Sequence, residues 1–315
     1  QKDEPGYETP SFRRSDAFEA TGREVRAVRG GVGINEVHNF GKYLITGPRA
    51  RDWLDRIMAG RIPQPGRLSL TPMLSPKGRL VADMTVTRLA EDQFMIIASG
   101  VAQQYHTRWF LKHMPAEGVA FRNVTEERPG FSMAGPRSRE LLASLTEADV
   151  SNDAFPFMSV REIDVAGIPC RICRISFTGE LGYEIYAPAD RHRALMMALE
   201  KAGDAFGLKH FGGLAFDSLR LEKGFGAWTS LDFSPDYTAV ESGLSRFVKI
   251  KNSDFIGKEA LIRQKEEGPV RRLVMMEVDA SDADAIGNEP VMVGDECIGF
   301  VTSGGYGHYT KTSVA

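Results

Sequence analysis

The sequence has few cysteines, no long apolar run and no excess of positive charge, and each shortage excludes a class of protein. Only three of its 315 residues are cysteine, too few and odd in number for a disulfide-stapled scaffold. No apolar run approaches the ~18 residues that a membrane-spanning helix needs. A formal net charge of -3 argues against nucleic acid as the main partner. These absences predict a chain of a reducing compartment, either the bacterial cytoplasm or, in a eukaryote, the mitochondrial matrix.

The motifs of common nucleotide and hydrolase chemistry are also missing. The stretches GGVGIN near Gly31 and GGYGHY near Gly305 lack the third glycine and the flanking strand and helix of a dinucleotide fingerprint. Neither Gly-Pro-Arg segment has the Gly-Lys-Ser/Thr end of a P-loop. No Gly-x-Ser-x-Gly elbow supplies a serine nucleophile. We therefore expect no NAD or FAD bound by these residues and no nucleotide triphosphate hydrolysis.

The cysteines and histidines do not form a metal-binding pattern. Cys170 and Cys173 are a single pair within a strand of alternating apolar residues, which favours packed thiols over zinc or redox chemistry. His106 and His113 share a helix face, but no carboxylate or thiol lies at ligand spacing. We interpret them as packed or surface histidines, and we predict no metal site.

Two segments of the sequence resemble each other at a separation of about 88 residues, and the length favours two or three domains. They are YLITGPRARDWLDRI around Gly47 and FSMAGPRSRELLASL around Gly135. Each has an apolar strand-like run, a Gly-Pro break and apolar residues three and four apart. The pattern predicts strand, tight turn and helix twice, and hence two related α+β lobes.

The remaining segments alternate between strand and helix patterns. RLSLTPML, RLVADMTVTRL and FMIIAS predict an antiparallel meander, and QQYHTRWFLKHM predicts a helix after it. IDVAGIPCRICRIS and ELGYEIYAP predict two further strands. From about Phe247, short strands with Gly-rich turns predict a small β-barrel or jelly roll. The sequence ends at TKTSVA, within a run that reads as another strand, so we expect this lobe to continue.

Several polar residues stand where the pattern predicts apolar ones. Asp83 interrupts an alternating strand, and a desolvated carboxylate is costly unless a partner or ligand compensates it. The alternative is a carboxylate capped by backbone amides or paired with an arginine. Glu180 follows a Thr-Gly turn and reads either as a ligand contact or as a solvated side chain. Asp217 and Arg220, one helical turn apart, form either a structural ion pair or a substrate clamp. Trp228 just beyond them would stack on an aromatic ligand or plug an interface between lobes.

Four segments carry a resemblance to a known family. GRLVADMTVTRL, RISFTGELGYEIY, DSLRLEKGFGAW and DFIGKEALIRQ resemble the folate-binding aminomethyltransferase (glycine cleavage T-protein) fold, and most of all the C-terminal halves of dimethylglycine and sarcosine dehydrogenases. The resemblance runs over essentially the whole chain. It implies an α+β fold of three lobes in a cloverleaf, two of them related and the third a C-terminal β-barrel or jelly roll. The expected bounds are 1–60 with 127–233, then 61–126, then 234–315.

The resemblance also implies a set of site residues around tetrahydrofolate. Asp83 takes the place of the family's essential aspartate, Glu180 that of a glutamate which binds the pterin ring, and Arg220 that of an arginine in the same pocket. The expected catalytic residue is Asp83. The expected folate-binding residues are Glu180, Arg220, Phe177, Tyr183 and Trp228.

The implied activity is capture of a methylene iminium unit from an N-methylated amine, such as dimethylglycine or sarcosine, to give methylene-tetrahydrofolate. Phe177 stands where glycine-cleavage proteins carry Tyr, and Ala98 and Ser99 stand where they carry an Asn, which favours the dehydrogenase-like branch. FAD is expected only on a separate flavin domain or subunit, which would be the partner. The alternatives are a demethylase forming methyl-tetrahydrofolate and a folate-binding accessory protein, although accessory relatives carry Cys where this chain has Phe225.

Overall fold

The computed structural model describes residues 13–251 and 254–315, which form seven α-helices and sixteen strands. The helices are α1 (Phe18–Gly30), α2 (Ala50–Ile57), α3 (Gln103–His113), α4 (Ser138–Ala143), α5 (His192–Gly203), α6 (Gly213–Leu221) and α7 (Lys258–Glu267). The first eight strands are β1 (Gly33–Glu36), β2 (Gly41–Thr46), β3 (Arg67–Leu74), β4 (Leu80–Ala90), β5 (Gln93–Ala98), β6 (Ala120–Asn123), β7 (Gly130–Ala134) and β8 (Val160–Val165). The others are β9 (Ile168–Cys173), β10 (Gly182–Tyr186), β11 (Lys209–His210), β12 (Glu277–Val278), β13 (Pro290–Val293), β14 (Glu296–Phe300), β15 (Gly305–Gly307) and β16 (Thr312–Val314).

The first lobe is built on a six-stranded sheet in the order β11-β1-β7-β10-β9-β8. Alternate residues of its strands point to opposite faces, so Tyr183 and Ile185 of β10 enter the core that α4 and α5 cover. A second apolar cluster joins α1, α6 and β7 through residues such as Val28, Ala134 and Leu219. The sheet of the first lobe therefore packs against α1, from the start of the lobe, and against α6, from its end.

The second lobe is built on a five-stranded sheet in the order β3-β4-β5-β2-β6, with every neighbouring pair antiparallel. The predicted meander is confirmed as β3, β4 and β5. Trp53, Leu54 and Ile57 of α2 are buried, as their spacing predicts, and they share a core with Phe110 of α3.

The internal repeat is confirmed at its two turns. Gly47 joins β2 to α2 and Gly135 joins β7 to α4, with φ values of 124° and 130° that a side chain would strain. An added Cβ would lie 2.5 Å from the Gly118 carbonyl oxygen in one turn and 2.4 Å from that of Gly31 in the other. The helices begin two residues after each proline, so the prolines precede the first helical residue rather than occupying it.

The predicted boundary between the first two lobes is wrong. Residues 41–57 were assigned to the first lobe, but β2 pairs with β5 and β6 of the second sheet, and α2 packs there as well. The chain therefore crosses between lobes after β1, near residue 40. A pairing partner about fifty residues away leaves no local mark on a strand, which is why the pattern of apolar residues did not place it.

The C-terminal region forms two small sheets, β12-β16-β15 and the hairpin β13-β14. The segment before them packs on the second lobe, because Phe255 and Leu261 share an apolar cluster with Leu74 and Leu80 of β3 and β4. The α+β class and the β-rich last lobe agree with the sequence prediction. In the part of the chain that the structure describes, no helix combines the length and apolarity needed to cross a membrane.

Candidate functional site

Asp83 lies where β4 is irregular. Opposite it in β3 is Pro72, and between Leu80 and Ala82 the strand carries one extra residue, a β-bulge. β4 pairs with β5 only from Thr85 onward, so Asp83 lies two residues before the part of β4 that pairs with β5. Bulges re-aim side chains and are frequent next to active sites. The carboxyl group is partly buried, as the interrupted alternation predicts.

The protonation of Asp83 is set by this environment. Burial raises the pKa of Asp83 to about 6, and the nearby Trp228 indole partly opposes the rise. The Trp228 Nε1 atom is itself buried, and the indole N–H group faces the Asp83 carboxylate. A carboxyl group with a pKa near neutrality can both accept and release a proton, which makes Asp83 a candidate general base.

His106 of α3, in the second lobe, lies next to Trp228 and is the third side chain of this region after Asp83 and Trp228. Its ring is fully buried and lies edge-on to Trp228, with 6.3 Å between the ring centroids, and to Tyr43 at 6.5 Å. Burial lowers the pKa of His106 to about 4, so the imidazole is neutral at pH 7. A hydrogen bond with the backbone of Val81 in β4 partly opposes this fall in the pKa. The sequence interpretation of His106 as packed is correct for its burial but missed its position near Asp83.

Glu180 ends a short loop of the first lobe. The Ser176 and Thr178 hydroxyl groups are 2.7 Å apart, and Gly179 has a φ of 75°. The apolar stem of Lys223 lies so close over Gly179 that an added Cβ would come within 2.3 Å of it. The glycine therefore allows the segment after α6 to pack directly on this loop. This packing fixes the position of the neighbouring Glu180.

Arg29 of α1 holds Glu180 in place. Its Nη1 atom donates to the Glu180 carboxylate at 2.5 Å, and its Nη2 atom donates to Glu222 at 2.8 Å. Glu222 also accepts the backbone N–H groups of Tyr309 and Thr310, both at 2.9 Å. The two carboxylates thus join the loop of the first lobe, the end of α6 and a turn of the C-terminal region. Arg29 was not predicted, because an arginine on an amphipathic helix has the same pattern as a solvated one.

Arg220 lies in a buried network rather than at an open surface. Its guanidinium donates to Asp232 and Asp217, both at 2.8 Å, and to the Phe225 carbonyl oxygen at 3.1 Å. Burial alone would raise the pKa of Asp232, but hydrogen bonds from three hydroxyl groups and the charge of Arg220 hold it below its usual range. The sequence left open whether Asp217 and Arg220 form a structural ion pair or a substrate clamp, and in the structure the two side chains form an ion pair.

The two aromatic residues predicted on and beside β10 have different surroundings. Phe177 is partly exposed and packs against Phe225, with centroids 5.6 Å apart. Tyr183 is fully buried in the core of the first lobe, where it lies near Phe155 and its hydroxyl meets Arg139 at 3.2 Å. The expectation that Tyr183 contacts folate does not agree with this position, because its ring faces α4 and α5.

The segment from Lys223 to Trp228 lies between the Glu180 loop and Asp83. Together they form one continuous surface, which we call the lining. The segment touches the Glu180 loop through Gly179 and Phe177, and its other end reaches Asp83 and His106 through Trp228. The lining offers two carboxylates and flat aromatic rings. Such a set suits a flat, polar heterocycle with amine and carbonyl groups.

The side chains of this region do not suggest a metal centre. Among the described residues, no three His, Cys, Asp or Glu side chains are grouped so that they could hold a metal ion. Cys170 and Cys173 are buried and free, and they belong to separate apolar clusters on β9. Their interpretation as packed cysteines is confirmed.

Two family models match the sequence. The family model described as GCVT N-terminal domain matches residues 2–252, and the glycine cleavage T-protein C-terminal barrel domain matches residues 271–315. The second match agrees with the predicted barrel type of the last lobe. Together the two models cover most of the chain.

Individual relatives give the same result. The chain is 38% identical to human mitochondrial dimethylglycine dehydrogenase over 99% of its own length, but it spans only 36% of that protein. It is 32% identical to an aminomethyltransferase of Natranaerobius thermophilus, with 89% of this chain and 77% of the relative covered. The crystal structure of glycine cleavage system aminomethyltransferase T from Bartonella henselae superposes with a TM-score of 0.83 at 25% identity, covering 94% of this chain and 80% of that one. The chain therefore belongs to the glycine cleavage T-protein family and has the fold of its aminomethyltransferases.

Proposed function

We propose that this chain binds tetrahydrofolate along the lining between Asp83 and Glu180 and transfers a one-carbon unit onto it. The observation that carries the proposal is Asp83, which lies next to the β-bulge of β4 with the Trp228 indole beside it and whose pKa is raised to about 6 by burial. A buried group of this kind lowers stability unless a ligand or a reaction uses it. Membership of a family of aminomethyltransferases supports the same conclusion.

The residues of the lining suit the parts of a reduced pterin. The Glu180 carboxylate accepts two hydrogen bonds from a paired donor edge such as that of an aminopyrimidine, and it keeps lone pairs for this although Arg29 already donates to it. Phe177 and Trp228 offer aromatic surfaces against which a flat ring packs. Arg220 supports the pocket from behind by holding the segment that contains Phe225.

The chemistry assigned to the chain is modest. The folate amine would form a bond to the methylene carbon, a second folate nitrogen would bond to the same carbon, and the bond between that carbon and the donor nitrogen would break, which releases the demethylated amine. Asp83 orients that amine and accepts its proton on a carboxylate oxygen, and its negative charge favours the positive charge of the incoming electrophile. A pKa near 6 leaves most of the carboxyl groups ionised and able to accept a proton at neutral pH. Holding both reactants in one cavity supplies much of the acceleration.

The proposed carbon donor is an N-methylated amine such as dimethylglycine or sarcosine, delivered as a methylene iminium. The support is the resemblance to dimethylglycine dehydrogenase in human and to sarcosine dehydrogenase in mouse. A flavoprotein domain or subunit would perform the oxidation, because the sequence itself has no dinucleotide fingerprint. The folate site would then capture the one-carbon unit before water hydrolyses it.

The test is a transfer assay with tetrahydrofolate, dimethylglycine or sarcosine, and a flavoprotein dehydrogenase for the amine. We expect methylene-tetrahydrofolate to form faster with the wild-type chain than without it, and Asp83→Asn to abolish this gain. Asp153→Asn, at an exposed position, is the matched control. Formation of methyl-tetrahydrofolate instead would assign the chain as a demethylase. An unchanged rate in Asp83→Asn would contradict the role of Asp83.

A further inference from the structure

Two arginine side chains of the first lobe donate hydrogen bonds to one neutral oxygen. Arg174, which follows β9, is buried with 8% of its surface exposed, and Arg139 of α4 is half-buried. The Arg174 Nη2 atom donates to Asn152 Oδ1 at 2.6 Å, and the Arg139 Nη2 atom donates to the same oxygen at 2.8 Å. Two guanidinium cations therefore converge on a single amide oxygen, which carries no charge.

The other hydrogen bonds of these arginines also go to uncharged groups. Arg139 donates from Nε to the Tyr183 hydroxyl group at 3.2 Å. Arg174 donates from Nη1 to the Phe155 carbonyl oxygen at 2.5 Å. The two side chains thus pin the loop between α4 and β8, but they do so without an anion.

A nearby arginine shows the more usual arrangement. Arg137, just before α4, pairs with the Glu140 carboxylate at 3.2 Å. Arg139 and Arg174 form no ion pair in the part of the chain that the structure describes. Burial, together with the charge of Arg139, lowers the pKa of Arg174, as expected for a desolvated cation beside a second cation. A buried charge without a partner of opposite sign lowers stability, so this pair has room for an anion.

The position between the two guanidinium groups is reachable from solvent. Asn152, whose amide oxygen occupies it, is an exposed residue of the loop. A ligand can therefore take the place of the amide at the surface and needs no deeper cavity. Arg139 also has N–H groups on Nη1 for such a ligand, because its hydrogen bonds to described residues use only Nε and Nη2.

The charge and the donors of the pair define the class of ligand. An amide oxygen has two lone pairs and no charge, so it satisfies two N–H groups and compensates neither cation. A phosphate group has up to two negative charges and three acceptor oxygens, and arginine binds it through two parallel hydrogen bonds. A single carboxylate would compensate only one of the two cations.

We propose that Arg139 and Arg174 form a binding site for a phosphate group, and that Asn152 fills the position of the anion when no ligand is bound. None of these residues belongs to the lining, so the proposal does not depend on tetrahydrofolate binding. Tyr183, which contacts Arg139, lies in the core of the first lobe. The site therefore belongs to the outer side of that lobe.

The first test is calorimetric titration of inorganic phosphate into the full chain, at low ionic strength and about pH 8, where phosphate is mainly a dianion. We expect saturable binding at one site per chain. Arg139→Gln should weaken it at least about 10-fold, because it removes charge-assisted hydrogen bonds. Arg137→Gln removes the same charge from a neighbouring position and should change the affinity by less than about 3-fold. Acetate, a monoanion, should bind at least about 10-fold more weakly than phosphate.

A second variant fills the site from within. Asn152→Asp places a tethered carboxylate between the two guanidinium groups, so it should weaken phosphate binding at least about 10-fold. The same change should raise the melting temperature, because it compensates a buried cation. Ala154→Asp, at an exposed position of the same loop, adds the same charge elsewhere and should keep phosphate binding within about 3-fold.

Each outcome bears on the proposal. Weaker phosphate binding in Arg139→Gln and Asn152→Asp, with binding kept in Arg137→Gln and Ala154→Asp, supports the site. Absence of saturable phosphate binding by the wild-type chain overturns it. Equal weakening in the control variants also overturns it, since that result indicates attraction by net charge alone. A lower melting temperature of Asn152→Asp contradicts the uncompensated charge, and equal binding of acetate overturns the assignment to a phosphate group.

Discussion

Replacing Asp83 by Asn should make the protein more stable at neutral pH, although it abolishes the proposed reaction. Burial raises the folded-state pKa of Asp83 to about 6 from an ordinary value of 3.8. Below about pH 4 the carboxyl group is protonated in both folded and unfolded chains. Between about pH 4 and pH 6 the folded chain binds more protons, so its stability falls as the pH rises. Above about pH 6 the full penalty of a buried charge is present.

The size of this penalty follows from the difference in pKa. A rise from 3.8 to about 6 corresponds to about 3 kcal/mol of lost stability above pH 6. Asn has nearly the same shape and no charge, but its amide is still partly desolvated. We therefore expect Asp83→Asn to raise the free energy of unfolding by about 1–3 kcal/mol at pH 8 and to leave it unchanged near pH 4.

Urea unfolding of both proteins at the two pH values measures this difference directly. Asp153→Asn, on the exposed surface, removes the same charge without desolvation and should change stability by less than about 0.5 kcal/mol. Equal or lower stability of Asp83→Asn at pH 8 would refute the reasoning. It would mean that protein groups already satisfy the carboxylate, and that Asp83 is not held ready for a ligand.

Three further predictions concern the framework of the site. Under native conditions a thiol reagent should label Cys297, which is exposed, and spare the two buried thiols of β9, and rapid labelling of all three would contradict their burial. Gly135→Ala should destabilise the protein by about 1–3 kcal/mol in urea unfolding because of its φ of 130°, whereas Gly213→Ala, with open space around it, should be nearly neutral. Arg220→Met leaves Asp232 buried without its cation, so the free energy of unfolding should fall by about 3–5 kcal/mol. A loss of folate affinity at unchanged stability would instead assign Arg220 to the ligand.

The elements of the fold were largely predictable because their signals are local. Alternation with period two indicated β4, and the Gly-Pro breaks indicated the two turns at Gly47 and Gly135. The assignment of β2 to a lobe was not predictable, because its partners lie about fifty residues away or more. Local patterns identify a strand, but pairing at long range decides which sheet receives it.

The site shows the same division between local and long-range information. The partial burial of Asp83 was predictable, since a carboxyl group in an apolar strand is conspicuous by itself. Tyr183 was named only because the resemblance implied it, and alternation, which indicates two faces of a strand without saying which one is the core, could not show that its ring is buried in the first lobe. The contacts of His106 with Trp228 and of Arg29 with Glu180 were not predictable, since each joins residues that are far apart in the sequence.

Calorimetric titration of tetrahydrofolate into the full chain tests the central claim most directly. We expect saturable binding at one site per chain, and we expect Asp83→Asn to retain binding because the proposed role of Asp83 lies in the transfer step. Asp153→Asn should bind as the wild-type chain does. Absence of saturable binding by the folded wild-type chain would contradict the proposal that this chain binds tetrahydrofolate.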